Sequence, residues 1–274
     1  MPKGFLSPDP KFAKYKTSRF VVIPCPHEKT VCYGKGTKNG PKAIIDASAQ
    51  VEVYDEELHH NTLKRVGIHT TKVTSPATLT KETLKVFKAN KIPIILGGEH
   101  SISLHAVKAA RSIYPTLSVL HFDAHADLRD TFQGKKDSHA CAARRMIEIC
   151  PVVHVGIRNI SEEETTFADE KDQTRKIHWA DKPINPQAII SQLRDTVYLS
   201  FDVDVLDPSI MPSTGTPEPG GLLWKETLDI LREVCKQRRI VGADFVELAP
   251  IKGLHAPDFT IAKLIYRLIG YLSR

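Results

Sequence analysis

The sequence predicts an α/β fold in three layers, with helices covering both faces of a mostly parallel central sheet. Three observations carry that prediction. Short apolar runs alternate with segments of helical periodicity along nearly the whole chain. Most of the runs are apolar at every position, as strands buried on both faces are. Several of them end in acids or histidines, and ligands bind beyond the carboxyl ends of parallel strands.

Residues 20–24 (FVVIP) read as the first buried strand, and residues 41–48 as a short helix after a glycine-containing loop. Residues 66–69 are a short strand. Residues 80–90 set Leu84, Val86 and Phe87 among lysines at helical spacing and lead into a strand over 92–96, where Pro93 is tolerable near the start. Ser101 reads as the N-cap of a helix that hands over to a strand over 117–122, and Ser138 opens another helix. The alternation continues with a strand over 152–157, an acidic helix over 161–172, a strand over 176–180 and a helix over 186–194. A strand over 197–201, a helix over 224–237, a strand over 240–246 and an amphipathic helix over 259–272 complete the chain. No repeat or linker interrupts the pattern, so residues 1–274 read as one domain with an irregular lead over 1–19.

A chain of 274 residues, 41% of them hydrophobic, supplies a sizeable core. The net charge of +6 comes from scattered basic residues with no nucleic-acid motif beside them, so it reads as surface solvation. The five cysteines form no C-x-x-C pair, which suits a reduced, cytoplasmic protein better than a disulfide framework. Residues 1–20 lack a continuous apolar core, and nowhere do roughly 18 apolar residues run together, so neither an export signal nor a membrane span is expected.

The stretch over 121–130 (HFDAHADLRD) puts Asp123, His125 and Asp127 at alternate positions, so an extended backbone points all three the same way. In VYLSFDVDVLDP another apolar strand ends in Asp202 and Asp204, again spaced by two. In IPIILGGEHS a third ends in two glycines, Glu99 and His100, and a fourth strand leads to Glu247. Two imidazoles and four aspartates are too oxygen-rich for structural zinc and lack a thiolate, which favours manganese, with magnesium or iron behind it. Four aspartates around one ion would overcompensate its charge. Two ions sharing bridging carboxylates fit better and point to metal-assisted hydrolysis.

The segments GGEHS, DAHAD and SFDVDVLDP, followed by STGTPEPGG, resemble the signature segments of the ureohydrolase family, which includes arginase, agmatinase and formimidoylglutamase. The resemblance runs from about residue 21 to the last helix and implies an arginase-like fold, two manganese ions per chain and a homo-oligomer, a trimer or hexamer. It also implies a first ion on His100, Asp123, Asp127 and Asp202 and a second on Asp123, His125, Asp202 and Asp204, with Asp123 and Asp202 bridging. By the same resemblance Glu247 pairs with the substrate guanidinium, Asp127 belongs to the catalytic set, and His139 shuttles a proton to the leaving amine. One departure is Glu99, where many members have Asp; it reads as a support for His100 rather than a ligand. His27, His59, His60, His69, His105, His121, His154, His178 and His255 read as packed or solvated, His121 on the strand face opposite Asp123's neighbours.

The segment LRDTFQGKKDSHACAARR is similar to the agmatinase pattern, implying a small cationic guanidino substrate, agmatine, cleaved to putrescine and urea in polyamine biosynthesis. Lys135 and Lys136 keep a carboxylate-bearing substrate in view. Glu163, in the run Glu162 to Glu164, is a candidate for the distal ammonium, set against an acidic first turn that the helix dipole favours. Rivals are an arginase, a guanidino acid hydrolase or formimidoylglutamase of the same chemistry, a single-zinc deacetylase of related fold, and a non-catalytic homologue.

Overall fold

The computed structural model describes residues 4–31 and 33–273; residues 1–3 of the expected lead, Cys32 and Arg274 lie outside the described residues. Strands β1 (Phe20–Cys25), β4 (Ile68–Thr70), β5 (Ile92–Gly97), β6 (Leu117–Phe122), β7 (Val152–Ile157), β8 (Ile177–Trp179), β9 (Thr196–Asp202) and β10 (Arg239–Val246) form one sheet in the order β4-β1-β5-β10-β9-β6-β7-β8. Every neighbouring pair is parallel. A separate antiparallel pair, β2 (Tyr54–Asp55) and β3 (His60–Asn61), is too short to leave a periodic signal in the sequence, as is the helix Thr62–Val66.

The apolar character of each strand at every position has the expected cause, burial on both faces. In β1, Phe20 and Val22 pack with Ile44, Val234 and Ile265 from the helices Gly40–Ser48, Trp224–Gln237 and Ala256–Tyr271. Val21 and Ile23, one residue out of phase, pack on the other side with Leu79, Val107 and Met146 from the helices Pro76–Lys88, Ser103–Ile113 and Ala142–Ile147. A smaller cluster holds Phe167 of the helix Glu162–Glu170 against Ile157 and Ile177. The lead is irregular apart from a 3-10 turn at Pro10–Phe12, yet it is tied down: Phe5 is fully buried, and the Leu6 amide donates to Ser48 Oγ at 2.7 Å.

Two expected helix starts shift. The segment after β5 opens with a 3-10 turn, His100–Ile102, and Ser101 turns its hydroxyl back to Glu99 Oε1 at 2.6 Å instead of capping the helix Ser103–Ile113. After Ser138 a 3-10 turn His139–Cys141 likewise precedes the helix Ala142–Ile147. Among the described residues no helix is long and apolar enough to cross a membrane.

The loop between β2 and β3 is pinned to the last helix by Arg267, only 2% exposed. Its guanidinium reaches Asp55 at 2.8 Å and Glu57 at 3.0 Å and also pairs with Glu56. Arg267→Ala would leave the buried Asp55 carboxylate without its cation, so it is expected to cost about 3–5 kcal/mol of unfolding free energy in a urea titration; a loss below about 1 kcal/mol would show that the cluster is solvated.

Candidate metal centre

The four central strands β5, β10, β9 and β6 lie side by side, and each delivers acids or histidines at its carboxyl end. After β5 the chain passes so close to His27 that a Cβ on Gly98 would lie 1.9 Å from the His27 carbonyl oxygen, which is why glycine precedes Glu99 and His100. β6 runs into Asp123, His125 and Asp127; β9 ends at Asp202, with Asp204 on the 3-10 turn Val203–Val205 that follows. Glu247 follows β10. Asp127 and Glu247 adopt left-handed backbone, with φ of 52° and 65°, a conformation that side-chain-bearing residues hold only where their surroundings impose it.

Backbone amides orient the carboxylates. The His125 amide donates to Asp123 Oδ1 at 2.6 Å, the Asp204 amide to Asp202 Oδ1 at 2.9 Å, and the Ala124 amide to Asp204 Oδ1 at 3.0 Å. Each of these acids thereby keeps Oδ2 for the interior. His100 Nδ1 lies 3.0 Å from Asp123 Oδ2, 3.2 Å from Asp127 Oδ2 and 3.3 Å from Asp202 Oδ2, while His125 Nδ1 lies 2.9 Å from Asp204 Oδ2 and 3.6 Å from Asp123 Oδ1. The six residues expected as ligands thus fall into two groups that share Asp123.

The electrostatics call for cations. Burial, together with Asp204 and Asp123, holds the Asp202 carboxyl well above the usual range, and burial and Asp123 raise Asp127. Burial works against a charged His125, but Asp204 and Asp123 overcome it and push the imidazole up to about 12. Asp123, for all its burial, is held well below the usual range by His100, His121 and His125. The crowded acids thus lack positive charge to balance them. His100 Nδ1 and Asp123 Oδ2 are buried and face each other at 3.0 Å without hydrogen-bond geometry, as atoms aimed at a common metal would be. This oxygen-rich set with two imidazoles fits hard or borderline divalent ions.

Supporting contacts fix the ligands. His100 Nε2 lies 3.0 Å from Ser200 Oγ, and both Ser200 and Ser103 donate to the fully buried Asp244 at 2.9 and 2.8 Å. Glu99 is 1% exposed and accepts from the amides of Lys29 and Thr30 at 2.6 and 2.7 Å and from the Thr30 hydroxyl at 3.1 Å. Its carboxyl is lowered despite burial, because Ser101 and the Thr30 amide donate to it. With the Thr30 hydrogen committed to Glu99, Thr30 Oγ1 accepts from the His139 amide at 3.2 Å and from His139 Nδ1 at 3.1 Å. That assigns the proton to Nδ1 and leaves Nε2 as the acceptor of His139. Glu99 is thus a support, as expected, and it reaches His139 as well as His100.

Two histidines read as bystanders belong to the centre. His121 Nε2 lies 3.0 Å from Asp123 Oδ2, its ring stacks on His100 with centroids 5.1 Å apart, and its Nδ1 meets His154 Nδ1 at 3.0 Å. Residue 121 precedes Asp123 by two, so the alternation that groups Asp123, His125 and Asp127 puts His121 on their face, not the opposite one. Burial, then His121, holds His154 neutral, well below the usual histidine range.

The groups open into a cavity of about 230 Å3 whose walls include His139, Glu247, Phe132, Asn159, Thr214 and Glu218. Glu247 is 8% exposed, so it is no surface acid; burial pushes it up to about 8, against the His100 amide, which donates to its Oε1 at 2.6 Å. Glu163 is exposed and does not line the cavity. Its neighbour Glu164 does, but as the capping-box acid of the helix Glu162–Glu170, accepting from Ser161 and from the Leu128 amide at 2.8 Å. Lys135 and Lys136 are exposed and outside the lining. Sequence reading missed Thr214 and Glu218 because a loop brings them in, and Asn159 because an uncharged residue after β7 gave no ligand signal; for Glu218 the proline-flanked TPEPGG segment was the available signal.

A model of the arginase family matches residues 18–270. The chain is 37% identical to the N(1)-aminopropylagmatine ureohydrolase of Synechocystis sp., over 98% of this chain and 94% of that protein. It is 32% identical to the agmatinase of Pyrococcus horikoshii, over 94% of each. The crystal structure of agmatine ureohydrolase of Thermoplasma volcanium superposes with a TM-score of 0.81 at 27% identity, covering 94% of this chain and 91% of that one.

Ser200→Ala removes the hydroxyl that partners His100 Nε2 and leaves the ring free to turn. It is expected to weaken manganese binding about 10- to 100-fold with the fold intact, read by calorimetric titration of metal-free protein. Unchanged affinity would mean that packing alone orients His100.

Proposed function

The chain belongs to the arginase family, as an amidinohydrolase of the ureohydrolase type, and on that premise we propose that it hydrolyses amine-tailed guanidines, agmatine and its N1-aminopropyl derivative, to urea and a polyamine. The observation that carries this reading is the convergence of both acid–histidine groups with His139 and Glu247 on one cavity. The relative named for the aminopropyl derivative is more similar to this chain than the agmatinase cited above, which extends the sequence reading from agmatine to the longer tail. Lys135 and Lys136, exposed and outside the lining, do not supply the carboxylate site that sequence reading kept in view.

His100, Asp123, Asp127 and Asp202 would hold one ion and Asp123, His125, Asp202 and Asp204 the other, manganese by the donor set. When bound, the pair neutralises the acids and makes water a nucleophile at neutral pH. Glu247 receives the planar guanidinium, for which a carboxylate offers two parallel acceptors. Its position between the His100 amide and the cavity holds the guanidino carbon over the acid cluster. His139, its Nδ1 anchored on Thr30, takes up at Nε2 a proton released by the attacking water and passes it to the leaving amine as the C–N bond breaks. The ring of Phe132, 5.4 Å from that of His139, helps to exclude water there. The buried thiols Cys25, Cys141 and Cys150 support a reduced compartment, and we assign the cytoplasm.

Manganese-loaded protein is expected to release urea from agmatine and N1-aminopropylagmatine and not from arginine; urea from arginine alone would overturn the substrate assignment. His139→Ala should keep its metal and lose turnover by about 10^2- to 10^4-fold, whereas Asp123→Asn should lose metal and activity together.

A further inference from the structure

We propose that Glu218 is the anion that receives an ammonium group of the substrate's tail, and so sets the preference for amine-tailed over neutral-tailed guanidines. The assignment rests on the guanidine hydrolase reading above and goes beyond it by giving the tail its own subsite. Three carboxylates outside the two metal groups line the cavity: Glu164, Glu218 and Glu247. Glu247 stands beside the acid cluster, where its Oε1 accepts from the His100 amide, and is the group assigned to the guanidinium. Both oxygens of Glu164 are taken by Ser161 and the Leu128 amide, and Arg129 Nε stands 4.0 Å away. Glu218 is different. Its Oε1 accepts from Asn159 Nδ2 at 2.5 Å and lies 3.9 Å from His125 Nε2, and among the described residues no lysine or arginine nitrogen comes within 4.0 Å of its carboxylate.

The acid is also held in place. Pro217 and Pro219 restrict the backbone on either side. The Glu218 carbonyl accepts from Arg158 Nε at 3.2 Å and Nη2 at 2.8 Å, and Arg158 Nη2 also reaches the Asp204 carbonyl at 2.6 Å, tying the segment to the metal centre. A fixed, partly desolvated carboxylate that has no lysine or arginine beside it, and whose Oε2 carries no bond, binds an ammonium with little ordering of its own. At 32% side-chain exposure it remains open to a ligand. With Glu247 assigned to the guanidinium and both oxygens of Glu164 engaged, an aminoalkyl tail leaving the guanidinium meets its counter-charge at Glu218.

The competing role for Glu218 is to position His125 through Nε2, and the two roles separate in one experiment. Manganese-loaded parent and Glu218→Gln proteins are compared on agmatine, N1-aminopropylagmatine and butylguanidine, whose tail is neutral, with metal content measured alongside. The subsite requires kcat/KM to fall about tenfold on both amines, the worth of one charged hydrogen bond, mainly through KM. Butylguanidine turnover and metal content stay unchanged. Equal losses on all three substrates, or weakened manganese binding, would overturn it in favour of support for His125. Should the parent cleave no guanidine, the hydrolase reading fails and the subsite is judged on calorimetric binding of 1,4-diaminobutane. Weaker binding to Glu218→Gln supports it, and equal binding overturns it.

Discussion

Asp123, Asp127, Asp202 and Asp204 are each no more than 6% exposed, and among the described residues no lysine or arginine nitrogen lies within 4.0 Å of their carboxylates. Burying such charges without compensation costs several kcal/mol apiece. The protein meets part of that cost with His100, His121 and His125 and by raising Asp127 and Asp202. The rest of the architecture makes sense as the means of holding this cluster together until divalent cations balance it. The parallel sheet brings four strand ends side by side, Gly98 lets one of them pass the His27 backbone, and backbone amides turn one oxygen of three acids away from the interior.

Around that centre the side chains divide the work by what they are bonded to. Ser200 and Asp244 hold His100, Glu99 and Thr30 set the tautomer of His139, and Arg158 ties the turn bearing Asp204 to the segment bearing Glu218. Glu99 is instructive. A carboxylate one methylene longer than aspartate takes donors from Lys29, Thr30 and Ser101, linking the loop after β1 to the strand end of β5.

Much of this was legible in the residues. Strands apolar at every position announced a sheet covered on both faces, and acids spaced by two announced which side chains would converge, because both signals arise from the strand's own period. What escaped reading depends on contacts between distant segments. His154 gains its place only through pairing of β7 with β6, and Glu218 only through Arg158 and Asn159. The run Glu162 to Glu164 misled because a capping box and a ligand-facing acid look alike in sequence; the structure gives Glu164 to the cap and leaves Glu163 in solvent. His121 was within reach, since it shares the spacing that grouped its neighbours.

The central claim is that the acid cluster is built for two ions, and calorimetric titration of metal-free protein with manganese, checked by elemental analysis, tests it most directly. The account predicts two ions per chain, with Asp123→Asn reducing both. A single ion per chain, or two that survive loss of the shared carboxylate, would contradict it.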